Sequence, residues 1–316
     1  MKKFIIKLSV YFFLYLIIAE SISRLLYLSP DIPVRGVDNV GIQKYLPNQS
    51  GYWKGGTHKW KINEDGWPGP THRKNGRQIA IIGDSFIENF MNPEKCRQTY
   101  LLEKKTEIFN FIEFGRSGIS FIESLEINKK EKNKNPNIEL SLIYLGNNDL
   151  KESLSTISRK PDIIQVDLNN NKILPSRLKS PLAKKILYNF KFAFYLHNRF
   201  PIANYFPKDN QLSKKIISRD NYSKEYESLI EYASDKYDMS SIIFVLRPET
   251  NNDIIKVFQS NNLNHLKLKA DDIPSWSFVD DHHWTCYGHR QASLQIAQYL
   301  NKTIFQPLAL TSQQSK

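Results

Sequence analysis

Gln78-Ile79-Ala80-Ile81-Ile82-Gly83-Asp84-Ser85 is the stretch from which the rest of the chain can be read. Its four apolar residues, three of them β-branched, run without alternation and stop at a glycine. A strand with one wet face would alternate polar and apolar side chains. An unbroken run fits a strand buried on both faces of a parallel sheet. Three later segments read the same way: Ile108–Phe114, Leu140–Leu145 and Ser241–Leu246. Helical patterns lie between them at Phe86–Lys104, Ile119–Lys132 and Tyr222–Tyr237, with a last helix at about Gly288–Asn301. Strands alternating with helices predict an α/β protein of three layers, α/β/α, around a parallel sheet.

Upstream of this unit the chain changes character twice. Met1 to Leu28 opens with Lys2, Lys3 and Lys7, then runs uncharged through Ser9–Ala19, and its apolar character resumes at Ile22, Leu25, Leu26 and Leu28 around Glu20 and Arg24. About 20 apolar residues span a bilayer, and no small-x-small cleavage site follows, so residues 1–28 are expected to be an uncleaved signal anchor. The leading lysines place the N-terminus in the cytoplasm and the remainder outside it. Residues 29–77 are a Pro- and Gly-punctuated linker and extension, with Trp53, Trp60 and Trp67 expected to pack along the domain edge.

The main domain is expected over 78–305. Within it the strand–helix alternation fails over about 151–219. Val166–Ile173, around Asn169-Asn170-Asn171, reads as a hairpin. Pro181–Phe200 reads as one aromatic-rich helix. Together they predict an insertion over the carboxyl ends of the strands, where open α/β sheets bind ligands. Residues 306–316 form a polar tail.

Composition narrows the partners. The net charge is +12, but the lysines are scattered and form no arginine–aromatic stripe, so no nucleic-acid partner is expected. A solvated basic surface, or attraction to anionic glycans or lipids, fits better. The two cysteines, Cys96 and Cys286, form no disulfide framework and no metal site. A bridge between them and two separate thiols are both compatible with their positions.

The chemistry lies where the strands end. Ser85 follows the first strand directly, at a junction that projects a side chain from the sheet's carboxyl edge. Its own N–H falls in the first turn of the next helix, where donors are free and the helix dipole favours an anion. The second strand ends at Gly115-Arg116-Ser117-Gly118, and a glycine there lets its N–H approach a ligand. The third ends at Gly146-Asn147-Asn148-Asp149, which offers an amide beside it. The N–H groups of Ser85 and Gly118, with the Asn148 amide, would make a three-donor oxyanion hole. Near the C-terminus comes Val279-Asp280-Asp281-His282-His283-Trp284-Thr285-Cys286-Tyr287-Gly288. A serine nucleophile needs a base, and the base needs a carboxylate to fix its tautomer. His283 is the candidate base, with Asp280, three residues before it, as the preferred acid and Asp281 as its rival. No second cluster of ligands accompanies these residues, so no metal is expected.

These four segments, in this order, resemble the four blocks of the SGNH (GDSL-like) hydrolase superfamily. The resemblance covers about Gln78 to Leu300 and implies a flavodoxin-like parallel sheet, a serine esterase with an acyl-enzyme mechanism, and no cofactor. Ser85 matches the nucleophile, Gly118 and Asn148 the further oxyanion donors, and Asp280-x-x-His283 the acid and base. Asn63-x-Asp65-Gly66-Trp67-x-Gly69 is similar to a segment that often precedes the domain in membrane-anchored bacterial members. Two departures stand out. The first block reads Ser85-Phe86 in place of Ser-Leu. Asp281-His282-His283-Trp284-Thr285 is similar to the D-x-H-W-T of exopolysaccharide acetylation proteins, where the acid lies two residues before the His. The resemblance thus implies a bacterial inner-membrane protein, its catalytic domain periplasmic or extracellular, acting on O-acyl groups of a carbohydrate, with O-acetyl transfer a variant of the same chemistry. A lipid thioesterase or lysophospholipase, and a catalytically silent glycan-binding protein on the same fold, are the alternatives.

Overall fold

The computed structural model describes residues 1–70, 76–106, 109–200 and 222–305; the polar tail and the last part of the expected insertion lie outside these. Helix α1 (Lys2–Leu25) comes first, its apolar side chains turned outward. It is long and apolar enough to cross a membrane, reaching about 36 Å at 1.5 Å per residue. The two charges that interrupt its apolar run have a structural reason. Glu20 and Arg24 pair at 2.7 Å, and the Glu20 carboxylate accepts from the N–H groups of Lys191 and Phe192.

Strand β1 (Gln78–Gly83) is buried at all six positions, as its unalternating sequence predicts. It is followed by α2 (Ser85–Glu88), α3 (Gln98–Glu103), β2 (Asn110–Gly115), α4 (Phe121–Lys134), β3 (Ile138–Leu145) and α5 (Asp149–Ser153). After the insertion, with α6 (Pro181–Asn189) and α7 (Lys191–Arg199), come α8 (Ser223–Lys236), β4 (Ile242–Leu246), α9 (Asn252–Ser260), β5 (His265–Lys267) and α10 (Cys286–Leu300). The five strands are parallel, in the spatial order β2-β1-β3-β4-β5. This is the flavodoxin-like winding, whose direction reverses between β1 and β3, and that reversal opens a crevice at their carboxyl ends. One face of the sheet packs on α4, α8 and α9 through Phe121, Leu229 and Phe258. The other packs on α3 and α10 through Leu102, Ala292 and Ile296.

Several expectations are corrected. The helix expected over Phe86–Lys104 is broken. Asn89 adopts the left-handed conformation (φ 50°) and ends α2 after one turn, and a short turn through Pro93 precedes α3. The single helix expected over Pro181–Phe200 bends at Phe190, whose extended backbone (φ −96°, ψ 92°) separates α6 from α7. α9 and the edge strand β5 were not anticipated, because β5 is three half-buried residues long and its sequence alternates. The hairpin is present, pairing Gln165–Asp167 with Lys172–Leu174. Of the insertion, residues 154–166 lie beside the β2 loop, Ser120 donating to the Ile164 carbonyl at 2.8 Å. α7 instead packs against α1, Phe192 edge-on to Tyr15, and α6 is joined there through Arg24 and the Asn189 carbonyl.

The extension is more than an edge covering. The Asn63 side chain accepts from the N–H groups of Asp65 and Trp67 at 3.0 and 2.9 Å, a tight Asx loop. That loop drives Trp67 into the core, where its indole N–H reaches Glu131 at 3.2 Å and its ring meets Phe114.

Candidate active site

Ser85 opens α2 at the carboxyl end of β1, and the Asp84 side chain caps the turn by accepting from Phe86 N–H at 3.0 Å. With α2 only four residues long, the field of a long helix does not stand behind Ser85. What this turn offers is an unpaired first-turn N–H. His283 arrives from the opposite end of the sequence on a small hairpin, Ser277–Phe278 against Asp281–Trp284. Its Nε2 lies 2.7 Å from Ser85 Oγ.

The carboxylate that reaches His283 is Asp281, not the preferred Asp280. His283 Nδ1 bonds to Asp281 Oδ1, which also accepts from the His283 backbone N–H at 3.1 Å. Asp280 sits in the two-residue turn of the hairpin. The antiparallel pairing explains the exchange. Asp281 and His283 are two apart on a strand and so share one face, whereas Asp280 is in the opposite phase and at the tip.

The hairpin is held from beneath. Phe86 packs its ring against His283 and Trp284, at 5.0 and 5.1 Å between centroids. Asn92 donates to the Trp284 carbonyl at 2.8 Å. Thr285 caps α10. Cys96 and Cys286 are joined in a disulfide, which ties the loop after Ser85 to the turn after His283. Behind it, Tyr144 donates to Gln98 Oε1 at 3.1 Å, and Gln98 Nε2 reaches His289 Nδ1 at 3.1 Å. Burial, with the positive Arg97 and the neighbouring His283, pushes the His289 pKa down to about 3, so its imidazole is neutral.

The other two predicted donors stand on adjacent loops. Gly83 pairs with Gly115 and Ile82 with Ile143, which brings the ends of β2 and β3 level with Ser85. Gly118 has φ 81°, the left-handed region where a side chain would be strained. Of the two asparagines, Asn147 is committed to the β4 loop, bonding Glu249 O at 3.0 Å and Asn251 N at 2.7 Å. Asn148 is exposed, and among the described residues its amide makes no hydrogen bond. Beneath them Asp149 accepts from Gly146 N–H at 2.6 Å, and burial together with nearby Asp84 holds its proton affinity well above the usual carboxylate range.

Two groups at the site escaped the sequence reading. Glu88 is buried at the end of α2, where its carboxylate accepts from Ser117 N–H at 2.7 Å and from the Ser117 and Tyr45 hydroxyls. Arg35 joins it, 3.8 Å from Glu88 and 3.3 Å from the Ser117 carbonyl. The loop carrying Gly118 is thus clamped between the helix that Ser85 opens and the N-terminal extension. A carboxylate inside the otherwise apolar Phe86-Ile87-Glu88 was the available signal. The second group is Arg247, stacked 4.0 Å over the Phe86 ring and held at 3.1 Å by Glu249.

Fold and site together define a flavodoxin-like α/β protein with a Ser–His–Asp array at its topological switch point. No family model matches the chain, and neither does any curated protein. The solved structures that resemble it include a member of the lipolytic protein G-D-S-L family from Veillonella parvula, 12% identical, covering 73% of this chain and 99% of that one with a TM-score of 0.37. A second is the psychrotrophic esterase EstA from Pseudoalteromonas sp., also 12% identical, covering 72% and 97% with a TM-score of 0.39. A third is a putative lipolytic protein of the G-D-S-L family from Desulfitobacterium hafniense, 11% identical, covering 71% and 99% at 0.37. At such identities and scores, the chain's own geometry carries the functional argument.

Proposed function

We propose that this chain is a serine ester hydrolase of the SGNH type. The observation that carries the reading is the 2.7 Å contact between His283 Nε2 and Ser85 Oγ, with Asp281 on the other ring nitrogen. An imidazole with a carboxylate on Nδ1 keeps its basic nitrogen towards the hydroxyl and is stabilised once protonated. Ser85 Oγ bonds to the ester carbonyl carbon while its proton passes to His283 Nε2. The oxyanion so formed is held by the N–H groups of Ser85 and Gly118 and the Asn148 amide. Collapse of the intermediate breaks the bond to the alkoxy oxygen, which leaves with the proton from His283. Water, deprotonated by the same imidazole, then frees the acid from Ser85. A sugar hydroxyl in place of that water makes the second half a transfer.

The finer reading is an O-acyl, above all O-acetyl, group on a carbohydrate outside the cytoplasm. The similarity of Asp281–Thr285 to exopolysaccharide acetylation proteins, the apolar α1 and the net charge of +12 support it.

A fluorophosphonate probe tests the enzyme reading. Folded wild type should label, and Ser85→Ala should not. Wild type that is folded yet unlabelled would leave only the silent binding protein. A series of nitrophenyl esters tests the acyl group: acetate should be cleaved fastest, and a strong preference for long chains would replace the glycan with a lipid.

A further inference from the structure

α6 and α7 expose an apolar stripe that the catalytic arrangement does not use. Leu182, Ile186 and Phe190 follow at intervals of four, so they share one face, and they are 76%, 61% and 58% exposed. Beyond the break, Leu196 and Phe200, again four apart, are exposed at 38% and 58% on α7. Single exposed apolar side chains are ordinary, but a continuous row marks a contact surface. Lys185 and Arg199 stand exposed at its margins, while Lys184 lies on the far side of α6.

The position of this row identifies what covers it. The junction of the two helices is fastened to α1. Glu20 caps α7 at Lys191 and Phe192, and Arg24 donates to the Asn189 carbonyl at 2.5 Å. Lys191 reaches Asp31 at 2.7 Å, just beyond the end of α1. The attachment runs from Tyr15 to Arg24, about 13 Å of helix. Its polar ties, at Glu20 and Arg24, fall in the last turns of α1, the end that would approach the headgroups if α1 crosses a bilayer about 30 Å thick at its core, while the Tyr15 contact lies deeper.

We infer that α6 and α7 lie flat on the bilayer surface, their apolar row at the headgroup–acyl boundary and their basic side chains against anionic phospholipid. This is the arrangement of an interfacial amphipathic helix, and the basic flank adds attraction to anionic lipid. It rests on the reading of α1 as a membrane anchor. Its consequence is that the catalytic domain is held against the membrane in one orientation.

The two native cysteines are paired, so a cysteine added to the full chain is the only thiol available for labelling. Variants Phe12→Cys, Ile186→Cys, Leu196→Cys and Gln298→Cys would each carry an environment-sensitive fluorophore. They would be reconstituted into vesicles of phosphatidylcholine and phosphatidylglycerol. The expected result is severalfold stronger quenching of probes 186 and 196 by a lipid spin-labelled near the headgroup than of probe 298, with shielding from iodide. If probe 12 is quenched by lipid while 186 and 196 meet iodide as freely as 298, the surface contact is overturned and the anchor stands. Probes 186 and 196 shielded from both quenchers would mean a protein covers the row, which also overturns it. Iodide quenching at probe 12 would remove the anchor and this inference with it.

Discussion

At the scale of single residues, the neighbouring aspartates 280 and 281 carry opposite expectations. Asp281→Asn should lower kcat by about 10³–10⁴, the loss typical of a triad carboxylate, because the amide favours the wrong imidazole tautomer. Asp280→Asn should stay within about threefold of wild type, since the group lies in a hairpin turn away from His283. Steady-state hydrolysis of nitrophenyl acetate by the two variants decides it. The sequence could not, because both spacings place an acid within reach of the His. Only the strand phase of the hairpin separates them, and a two-strand hairpin this short has no hydrophobic alternation from which to read a phase. Asn147 and Asn148 present the same problem. Asn148→Ala should reduce kcat by about 10²–10³, as losing one oxyanion donor does, at an unchanged melting temperature. Asn147→Ala should instead lower the melting temperature, because it strips two hydrogen bonds from the β4 loop.

At the scale of elements, the strands β1 to β4 and the helices α4, α8 and α10 were legible because burial on both faces, or on one face of a helix, writes itself directly into the sequence. What was not legible came from backbone events. One left-handed asparagine ends α2. An extended Phe190 divides α6 from α7. A three-residue edge strand contributes too few side chains to register a pattern. The Trp67 loop shows a third situation, in which the motif was visible but its purpose was not. Asn63, Gly66 and Trp67 are a device for turning the chain sharply and plugging an indole into the core. Asn63→Ala should therefore cost about 1–3 kcal/mol, two N–H groups losing their acceptor, with wild-type chemistry in the fraction that stays folded; urea unfolding measures it.

At the scale of the whole molecule, stability and site geometry share the same ties. His289 is neutral in the fold, with a pKa of about 3 against 6.5 for the free side chain. Above pH 6.5 neither state binds a proton there, and the contribution is constant. As pH falls from 6.5 towards 3, the unfolded chain takes up a proton that the folded chain refuses. Stability should therefore drop by up to about 1.4 kcal/mol per pH unit from this group alone. Urea midpoints between pH 7 and 5 should fall less steeply for His289→Gln than for wild type. The disulfide closes a long span, its cysteines lying 190 positions apart in sequence. Cross-links over long loops contribute about 4–5 kcal/mol, so Cys96→Ser with Cys286→Ser should lower the melting temperature clearly, and dithiothreitol should lower that of wild type alone.

That bond has a bearing on when the protein can work. Ser85 lies near the start of the main domain and His283 near its end, and the covalent tie between their loops forms only where thiols are oxidised. A newly made chain in a reducing compartment would hold Ser85 and His283 together by packing and hydrogen bonds alone. The surroundings, through two sulfur atoms, thereby set how firmly the two halves of the site are joined.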